Sequence, residues 1–281
     1  MMTAFTELSD RVFVLVEPML RVNVTLVVGD GEALLVDTLS TDDQATELLD
    51  AVRRVTTAPL VVVNTHHHFD HCFGNEVIAP PPTPIWAHER AAAILRERGT
   101  ALQRSWWEEF RGEDPAFADA IARITIRPPD HLVHSAQALT IGGRVIGLRH
   151  LGRGHTEGDL VVDVPDADLV IAGDLIEEGA PPGFGDAFPM AWPATVAALR
   201  DGLGPATRVI PGHGAPVGRD FVAAQHDELA DLAWLIRDGH GDGVPPEKVA
   251  GATALTRWGD AGRHEATLAV ARGYDELDAL I

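Results

Sequence analysis

Apolar and polar positions along the chain follow two periods, one typical of strands and one typical of helices. Runs rich in β-branched residues predict strands at Arg11–Val16, Asn23–Val28, Ala33–Asp37 and Leu60–Asn64. Between the last two of these, Asp42–Val55 has apolar residues at the three- and four-residue spacing of a helix. Because strands and helices alternate, the pattern predicts an α/β fold.

The alternation continues along the rest of the chain. A short strand at Ile85–Ala87 is followed by a helical pattern over about Glu89–Arg98. Further apolar strands are predicted at Arg144–His150, at Leu169–Asp174 and near Val209. The residues after the last of these strands are mostly helical in pattern.

Length and composition indicate how this pattern is organised. With 281 residues, 46% of them hydrophobic, the chain can bury a sizeable core, and we expect a single domain over 1–281. Within it we expect a helical insertion at about 98–130 and a helical C-terminal extension at about 220–281.

The charge balance narrows the classes of partner. Asp and Glu number 42 against 22 Lys and Arg, so the formal net charge is −20. Proteins that bind nucleic acid need a basic face, which this acidic balance opposes. No apolar run approaches the roughly 20 residues that span a bilayer, and residues 1–10 lack the features of a secretory signal. We therefore expect a cytoplasmic protein that binds a small-molecule substrate, and neither nucleic acid nor a membrane; a homo-oligomer is left open.

The most informative motif directly follows the fourth predicted strand. The segment Thr65–His71 reads T-H-H-H-F-D-H, which is H-x-H-x-D-H spacing. His66 and His68 alternate to one side of an extended segment and could hold one ion, while Asp70 and His71 could hold a second. Imidazole and carboxylate suit zinc, with iron and manganese also open. Since an unpaired buried carboxylate is costly, the motif favours a metal site over a solvated histidine-rich loop.

Three further ligand-type side chains each come just past the end of a predicted strand. His155 lies in G-R-G-H-T-E-G-D, Asp174 ends an apolar strand, and His213 lies in the turn P-G-H-G. Singly, they are also explained as a helix cap, a turn residue and a surface histidine. Loops held by a rigid sheet are where binding groups are usually found, and together the three favour one site.

Cys72, the sole cysteine, directly follows His71. A lone cysteine excludes an internal disulfide. A role as metal ligand or redox thiol stays open, but a small buried packing residue is favoured.

The order H-x-H-x-D-H, G-H-T, G-D and P-G-H-G resembles the metallo-β-lactamase superfamily over roughly residues 12–220. The resemblance implies an αββα sandwich, in which two mixed β-sheets are flanked by helices. It also implies two Zn²⁺ ions per chain, with Mn²⁺ or Fe left open. Carried over position by position, the first metal would be held by His66, His68 and His155, the second by Asp70, His71 and His213, and Asp174 would bridge both.

The implied activity is metal-dependent hydrolysis. A metal-bridging hydroxide would attack the carbonyl of a small ester, thioester, lactone or amide, and Asp70 would orient the water and accept its proton. The T-H-H-H-x-D-H run is similar to that of the broad glyoxalase II-like hydrolase branch, although the G-H-G-A context of His213 differs from the usual one there, and a β-lactamase side activity is left open. The family's alternative is a persulfide dioxygenase-like oxidoreductase with one iron; a binding protein without turnover is disfavoured by the complete ligand set.

Two further sets of residues are candidates for holding the ligands in place and for lining a substrate pocket. Thr65, Thr156 and Asp159 are placed to hydrogen-bond the ligand histidines, although each could be a turn residue. The aromatic segments Thr100–Arg123 and Glu177–Trp192 could line a substrate pocket or pack in the core.

Overall fold

The structure, a computed structural model, describes residues 4–279. The chain divides into two compact units. The first contains the described residues up to His150 together with Leu160–Ala167. The second contains Leu151–Asp159 together with the described residues from Asp168 onward.

A seven-stranded mixed sheet, with its strands in chain order, is the framework of the first unit. Antiparallel pairing joins the first four strands, and parallel pairing joins the fourth to the seventh. The strands are Thr6–Ser9 (β1), Val12–Val16 (β2), Asn23–Val28 (β3), Ala33–Val36 (β4), Leu60–Val63 (β5), Ile85–His88 (β6) and His131–Val133 (β7).

Helix α1, Asp42–Val55, has the bounds that the apolar spacing predicted, and it forms the crossover between β4 and β5. Thr41 caps its N-terminus by accepting a hydrogen bond from the Gln44 amide. Acidic residues lie in its first turn and basic residues in its last, which suits the helix dipole. Its buried side chains join the main core cluster of this unit.

Four more helices follow in the first unit: α2 (Phe69–Cys72), α3 (Asn75–Ile78), α4 (Glu89–Phe110) and α5 (Pro115–Arg123). The prediction that α4 ends near Arg98 is wrong, since the helix continues to Phe110. Gly99 accounts for the error, because a glycine inside a helix reads as an end signal. A Cβ at this position would lie 2.7 Å from the Ile126 side chain, so close packing against Ile126 requires glycine there.

Three antiparallel strands complete the first unit: Ala136–Ile141 (β8), Arg144–Arg149 (β9) and Val161–Val164 (β10). A short 3₁₀ turn, Pro165–Ala167, follows them. Gly142 and Gly143 both have positive φ (48° and 86°) and make the tight turn between β8 and β9.

The second unit has two parallel strands, Leu169–Glu177 (β11) and Arg208–His213 (β12). Its helices are α6 (Trp192–Asp201), α7 (Arg219–Gly241), α8 (Pro246–Ala252) and α9 (Gly259–Asp278), with a 3₁₀ helix at Ala254–Trp258. Within residues 4–279, no helix is long and apolar enough to cross a membrane.

Candidate metal centre

The parallel pairing of β4 and β5 explains how the histidine motif is held. Val36 pairs with Val63, so both strands end at the same edge of the sheet. The residue after β4 is Asp37, and the H-x-H-x-D-H segment begins just after β5. Side chains that follow neighbouring parallel strands therefore meet at this edge.

The first unit contains four of the predicted ligands, and it brings them together. The His66 ring lies 4.7 Å from the His68 ring and 4.3 Å from the His71 ring, between centroids. Asp70 and His71 lie in the single turn of α2, and Asp70 Oδ2 is 3.6 Å from His71 Nε2. His66, Asp70 and His71 are buried, and His68 is half-buried. Three imidazoles and a carboxylate in one small volume form a donor set suited to zinc.

Asp37 was not among the predicted site residues, yet it orients two of the ligands. Its carboxylate accepts hydrogen bonds from the Thr65 amide, the Thr65 hydroxyl and His71 Nδ1, each at 2.8 Å. His71 must then carry its proton on Nδ1, which leaves the Nε2 lone pair available to a metal. The sequence signal was a carboxylate at the end of β4, which alone resembles an ordinary turn residue.

Thr65 connects Asp37 to His66, as the sequence suggested. The Thr65 hydroxyl donates to Asp37 and lies 3.0 Å from His66 Nδ1, so His66 donates its Nδ1 proton to that hydroxyl. Burial raises the pKa of Asp37, while the hydrogen bonds from His71 and Thr65 oppose this shift. The outcome is that His66 and His71 both keep Nε2 free of a proton.

The second unit contains the other three predicted ligands, and it also brings them together. Asp174 Oδ2 lies 3.4 Å from His155 Nε2 and 3.3 Å from His213 Nε2. These separations are long for hydrogen bonds. They match the distance of about 3.3 Å between two ligands of a tetrahedral ion whose bonds are roughly 2.0–2.1 Å long. The residues present therefore fit a zinc ion in both donor chemistry and spacing.

Gly212 makes room for the Asp174 carboxylate. Asp174 lies in β11 at an irregularity of the pairing with β12, and Gly212 lies on β12. A Cβ added to Gly212 would overlap Asp174 Oδ1. The P-G-H-G turn thus needs its first glycine for close approach to a ligand, which the sequence did not reveal.

His155 is held from its other side by the loop after β11. Its Nδ1 lies 3.1 Å from the Gly183 carbonyl and 3.6 Å from Glu177 Oε1. The Gly183 amide donates to the same Glu177 oxygen at 2.9 Å. Burial and the nearby Asp174 carboxylate raise the pKa of Glu177 to about 8, while His213 opposes the shift. A cation bound beside Asp174 would oppose this shift.

Thr156 and Asp159 hydrogen-bond to each other. The Thr156 amide and hydroxyl both donate to the Asp159 carboxylate, at 3.0 and 2.6 Å. This pair closes the turn after His155, which is the turn role that the sequence left open.

The two aromatic segments pack in different surroundings. Trp106 of α4 packs on Phe69 at 4.3 Å between centroids, and its ring lies 6.4 Å from the His68 ring. This tryptophan forms an apolar surface beside a ligand. Phe184 and Trp192 in the second unit are fully buried and are core residues.

Cys72 has the packing role that the sequence favoured. It is buried, and its thiol donates to the carbonyls of His67 and His68 at 3.2 and 3.1 Å. Burial raises the pKa of the thiol well above its ordinary value, which disfavours the thiolate that a ligand or redox thiol needs.

The chain is similar to known proteins in sequence and in fold. The sequence model of the metallo-β-lactamase superfamily matches residues 18–221. The metallo-β-lactamase type 2 of Bacteroides fragilis is 21% identical over 78% of this chain and 82% of that protein. The acyl-coenzyme A thioesterase MBLAC2 of Homo sapiens is 26% identical over 57% of this chain and 60% of that protein.

Solved structures show the same fold. A metallo-β-lactamase from Pontibacter korlensis aligns with a TM-score of 0.65 and 21% identity, over 82% of this chain and 99% of that one. The metallo-β-lactamase FIM-1 from Pseudomonas aeruginosa, in its mono-zinc form, aligns with a TM-score of 0.66 and 20% identity, over 83% of this chain and 96% of that one. The predicted αββα sandwich class and the family resemblance are confirmed.

Proposed function

The chain belongs to the metallo-β-lactamase superfamily, and from this premise we propose that it is a zinc-dependent hydrolase with two metal ions per chain. The curated relatives it matches are named as a β-lactamase, a probable metallo-hydrolase and an acyl-coenzyme A thioesterase, all of them hydrolases by name. The observation that carries the proposal is the spacing of Asp174 Oδ2 from His155 Nε2 and from His213 Nε2. Each separation is that of two ligands sharing an ion, so Asp174 is placed to serve one ion with His155 and a second with His213.

The proposed ligands follow the family pattern across all seven positions. Each unit brings its own proposed ligands together, and the family pattern assigns them to two ions. By that pattern His66, His68 and His155 would hold the first ion, Asp70, His71 and His213 would hold the second, and Asp174 would contribute to both. Bound zinc supplies Lewis acidity and lowers the pKa of water from about 15.7 towards about 7.

Asp70 is the proposed general base. Its carboxylate is buried beside His71 and can orient a water molecule and accept its proton as the water adds to the substrate carbonyl. The acyl bond then breaks, and Asp70 returns the proton to the leaving group. A thioester would thus yield a carboxylic acid and a thiol. Trp106 and Phe69 supply an apolar wall beside His68 that excludes water from part of the site.

The proposed substrate is a small carbonyl compound with an activated acyl bond. Thioesters come first in this class because of the similarity to MBLAC2, followed by esters, lactones and amides. The apolar surface at Trp106 suits the acyl part of such a substrate.

Hydrolysis by the purified chain would test the proposal. We would measure thiol release from short acyl thioesters, and then turnover of lactones and a chromogenic β-lactam, before and after chelation and after zinc is restored. Asp70→Ala and His213→Ala should lower turnover by at least about 100-fold without loss of the fold. His134→Ala is the matched control, since that histidine is 83% exposed and pairs with Glu89. Turnover that survives chelation, or survives in either site variant, would refute the metal mechanism.

A further inference from the structure

The last helix of the chain holds a loop of the second unit through three of its side chains. The loop, residues 183–190, follows β11. Glu265 Oε2 accepts from the Phe184 amide at 2.6 Å, and Glu276 Oε1 accepts from the Met190 amide at 3.1 Å. Between them, Arg272 donates to the carbonyls of Ala187 and Gly185.

These three side chains form a single stripe on α9. Positions 265, 272 and 276 are seven and four residues apart, which places them on one face of a helix. Arg272 also lies over the Phe188 ring, 5.7 Å from its centroid. We call Glu265, Arg272 and Glu276 the loop clamp. Four hydrogen bonds from one helix face to successive main-chain groups hold the loop in one conformation.

The clamped loop is also bonded to the segment that contains His155. The Gly183 carbonyl lies 3.1 Å from His155 Nδ1. The Phe188 amide donates to the Gly154 carbonyl at 2.8 Å, one residue before His155. A main-chain carbonyl bonded to the second ring nitrogen of a ligand histidine fixes its tautomer and ring orientation. The position of the loop therefore determines how His155 presents Nε2.

The loop clamp lies outside the part of the chain that the family shares. The superfamily match ends at residue 221, and α9 begins at Gly259. The contacts also join residues 81 to 87 positions apart, so that no local motif encodes them.

We propose that the loop clamp of α9 is a positioning element of the metal centre, which holds the Gly183 carbonyl against His155 so that this ligand is preorganised for zinc. The proposal rests on the zinc centre of the proposed function, and on no particular substrate. The clamp residues are positioning residues, because they act through the loop and do not themselves bind the metal.

Zinc affinity measures this role directly. Removal of one contact that orients a ligand typically weakens metal binding by about 10- to 100-fold. We therefore expect Glu265→Ala and Arg272→Met each to raise the zinc dissociation constant about tenfold, measured by competition with a chromophoric chelator. Glu265→Gln keeps an oxygen that can accept from the Phe184 amide, so it should stay within about threefold of the wild type.

Arg263→Met is the matched control on the same helix. The Arg263 side chain is 60% exposed, and it pairs with Asp260 one turn away. Zinc affinity should not change in this variant. The free energy of unfolding of each metal-free variant should also be measured in urea. A general defect in α9 would lower both the stability and the zinc affinity, and it would affect the Arg263→Met control as well.

Two results would overturn the proposal. One is a zinc dissociation constant within about twofold of the wild type in Glu265→Ala and Arg272→Met. The other is a loss in Glu265→Gln equal to the loss in Glu265→Ala, since the hydrogen-bond acceptor would then be irrelevant. If Glu265→Ala does not fold, Arg272→Met decides by the first criterion. Failure of the proposed function itself would be distinct, because the wild-type chain would then bind no zinc or hydrolyse nothing.

Discussion

The Asp37 carboxylate has two roles: it satisfies buried hydrogen-bond donors, which stabilises the fold, and it fixes the tautomer of His71. Replacement of Asp37 by asparagine separates these roles. Asp37 is 1% exposed and accepts from the Thr65 amide, the Thr65 hydroxyl and His71 Nδ1, each at 2.8 Å. Asparagine has one acceptor oxygen, and its amide would face donors on the other side. His71 can relieve that conflict by moving its proton from Nδ1 to Nε2, which removes the lone pair that a metal needs.

The expected loss of folding stability and the expected loss of zinc affinity differ in size. In Asp37→Ala, three buried donors lose their acceptor, and at about 1–3 kcal/mol for each unsatisfied group the loss is about 3–5 kcal/mol after relaxation. In Asp37→Asn, the Thr65 amide keeps its acceptor and the carboxylate no longer has to be desolvated, so we expect a loss of about 1–2 kcal/mol. Zinc affinity should nevertheless fall by about 10- to 100-fold in the asparagine variant.

Two assays on the same proteins test this separation. Urea unfolding of the metal-free chain gives the stability change, and chelator competition gives the zinc affinity. Asp130→Asn is the control, because Asp130 forms a surface Asp–His pair with His131 at 2.8 Å in which both side chains are about half exposed. Zinc affinity equal to that of the wild type in Asp37→Asn would refute the argument that Asp37 fixes the His71 tautomer.

Two further predictions concern the close approach of Gly212 to the Asp174 carboxylate and the buried histidine His88. Gly212→Ala should displace the Asp174 carboxylate and weaken zinc binding by at least about tenfold. Gly218→Ala is the control, because an added Cβ there meets open space and zinc affinity should not change. Equal zinc affinities of the two variants in a chelator competition would contradict this prediction. Burial and the stacked His150 ring lower the pKa of His88 to about 4. The unfolded chain, with a histidine pKa of about 6.5, then binds more protons between pH 6.5 and 4, and stability falls as the pH falls. The His88 contribution to the loss between pH 7.5 and 5 is about 1 kcal/mol after solvent screening. His88→Asn should abolish this part in urea unfolding, and an unchanged pH dependence would show the reasoning to be wrong.

Strong local patterns were read correctly from the sequence. Asn23–Val28 and Asp42–Val55 have the observed bounds because each has a clear apolar period and, for the helix, a capping threonine. The ligand motif was recognisable because its residue types are rarely found together without a metal. The short strands β7 and β8 were missed, since their residues are largely exposed and lack a clean alternation.

The features that depend on contacts between distant residues were not predictable from local pattern. Asp37 and His71 are 34 positions apart in sequence, and they meet only because β4 and β5 pair in parallel. Gly212 faces Asp174 through the pairing of β11 and β12, and the loop clamp reaches across more than 80 positions. Each of these contacts holds a candidate ligand whose residue type and position were visible in the sequence, whereas the contact itself depends on the fold.

The metal content of the purified chain, with no metal added, is the most direct test of the central claim. Elemental analysis should find close to two zinc ions per chain, and Asp174→Ala, which removes the proposed bridging ligand, should lower that number. About one iron per chain would contradict the dinuclear hydrolase and favour oxygen-dependent chemistry on thiol-derived substrates. A wild-type chain that purifies without metal and binds no added zinc would contradict the metal centre altogether.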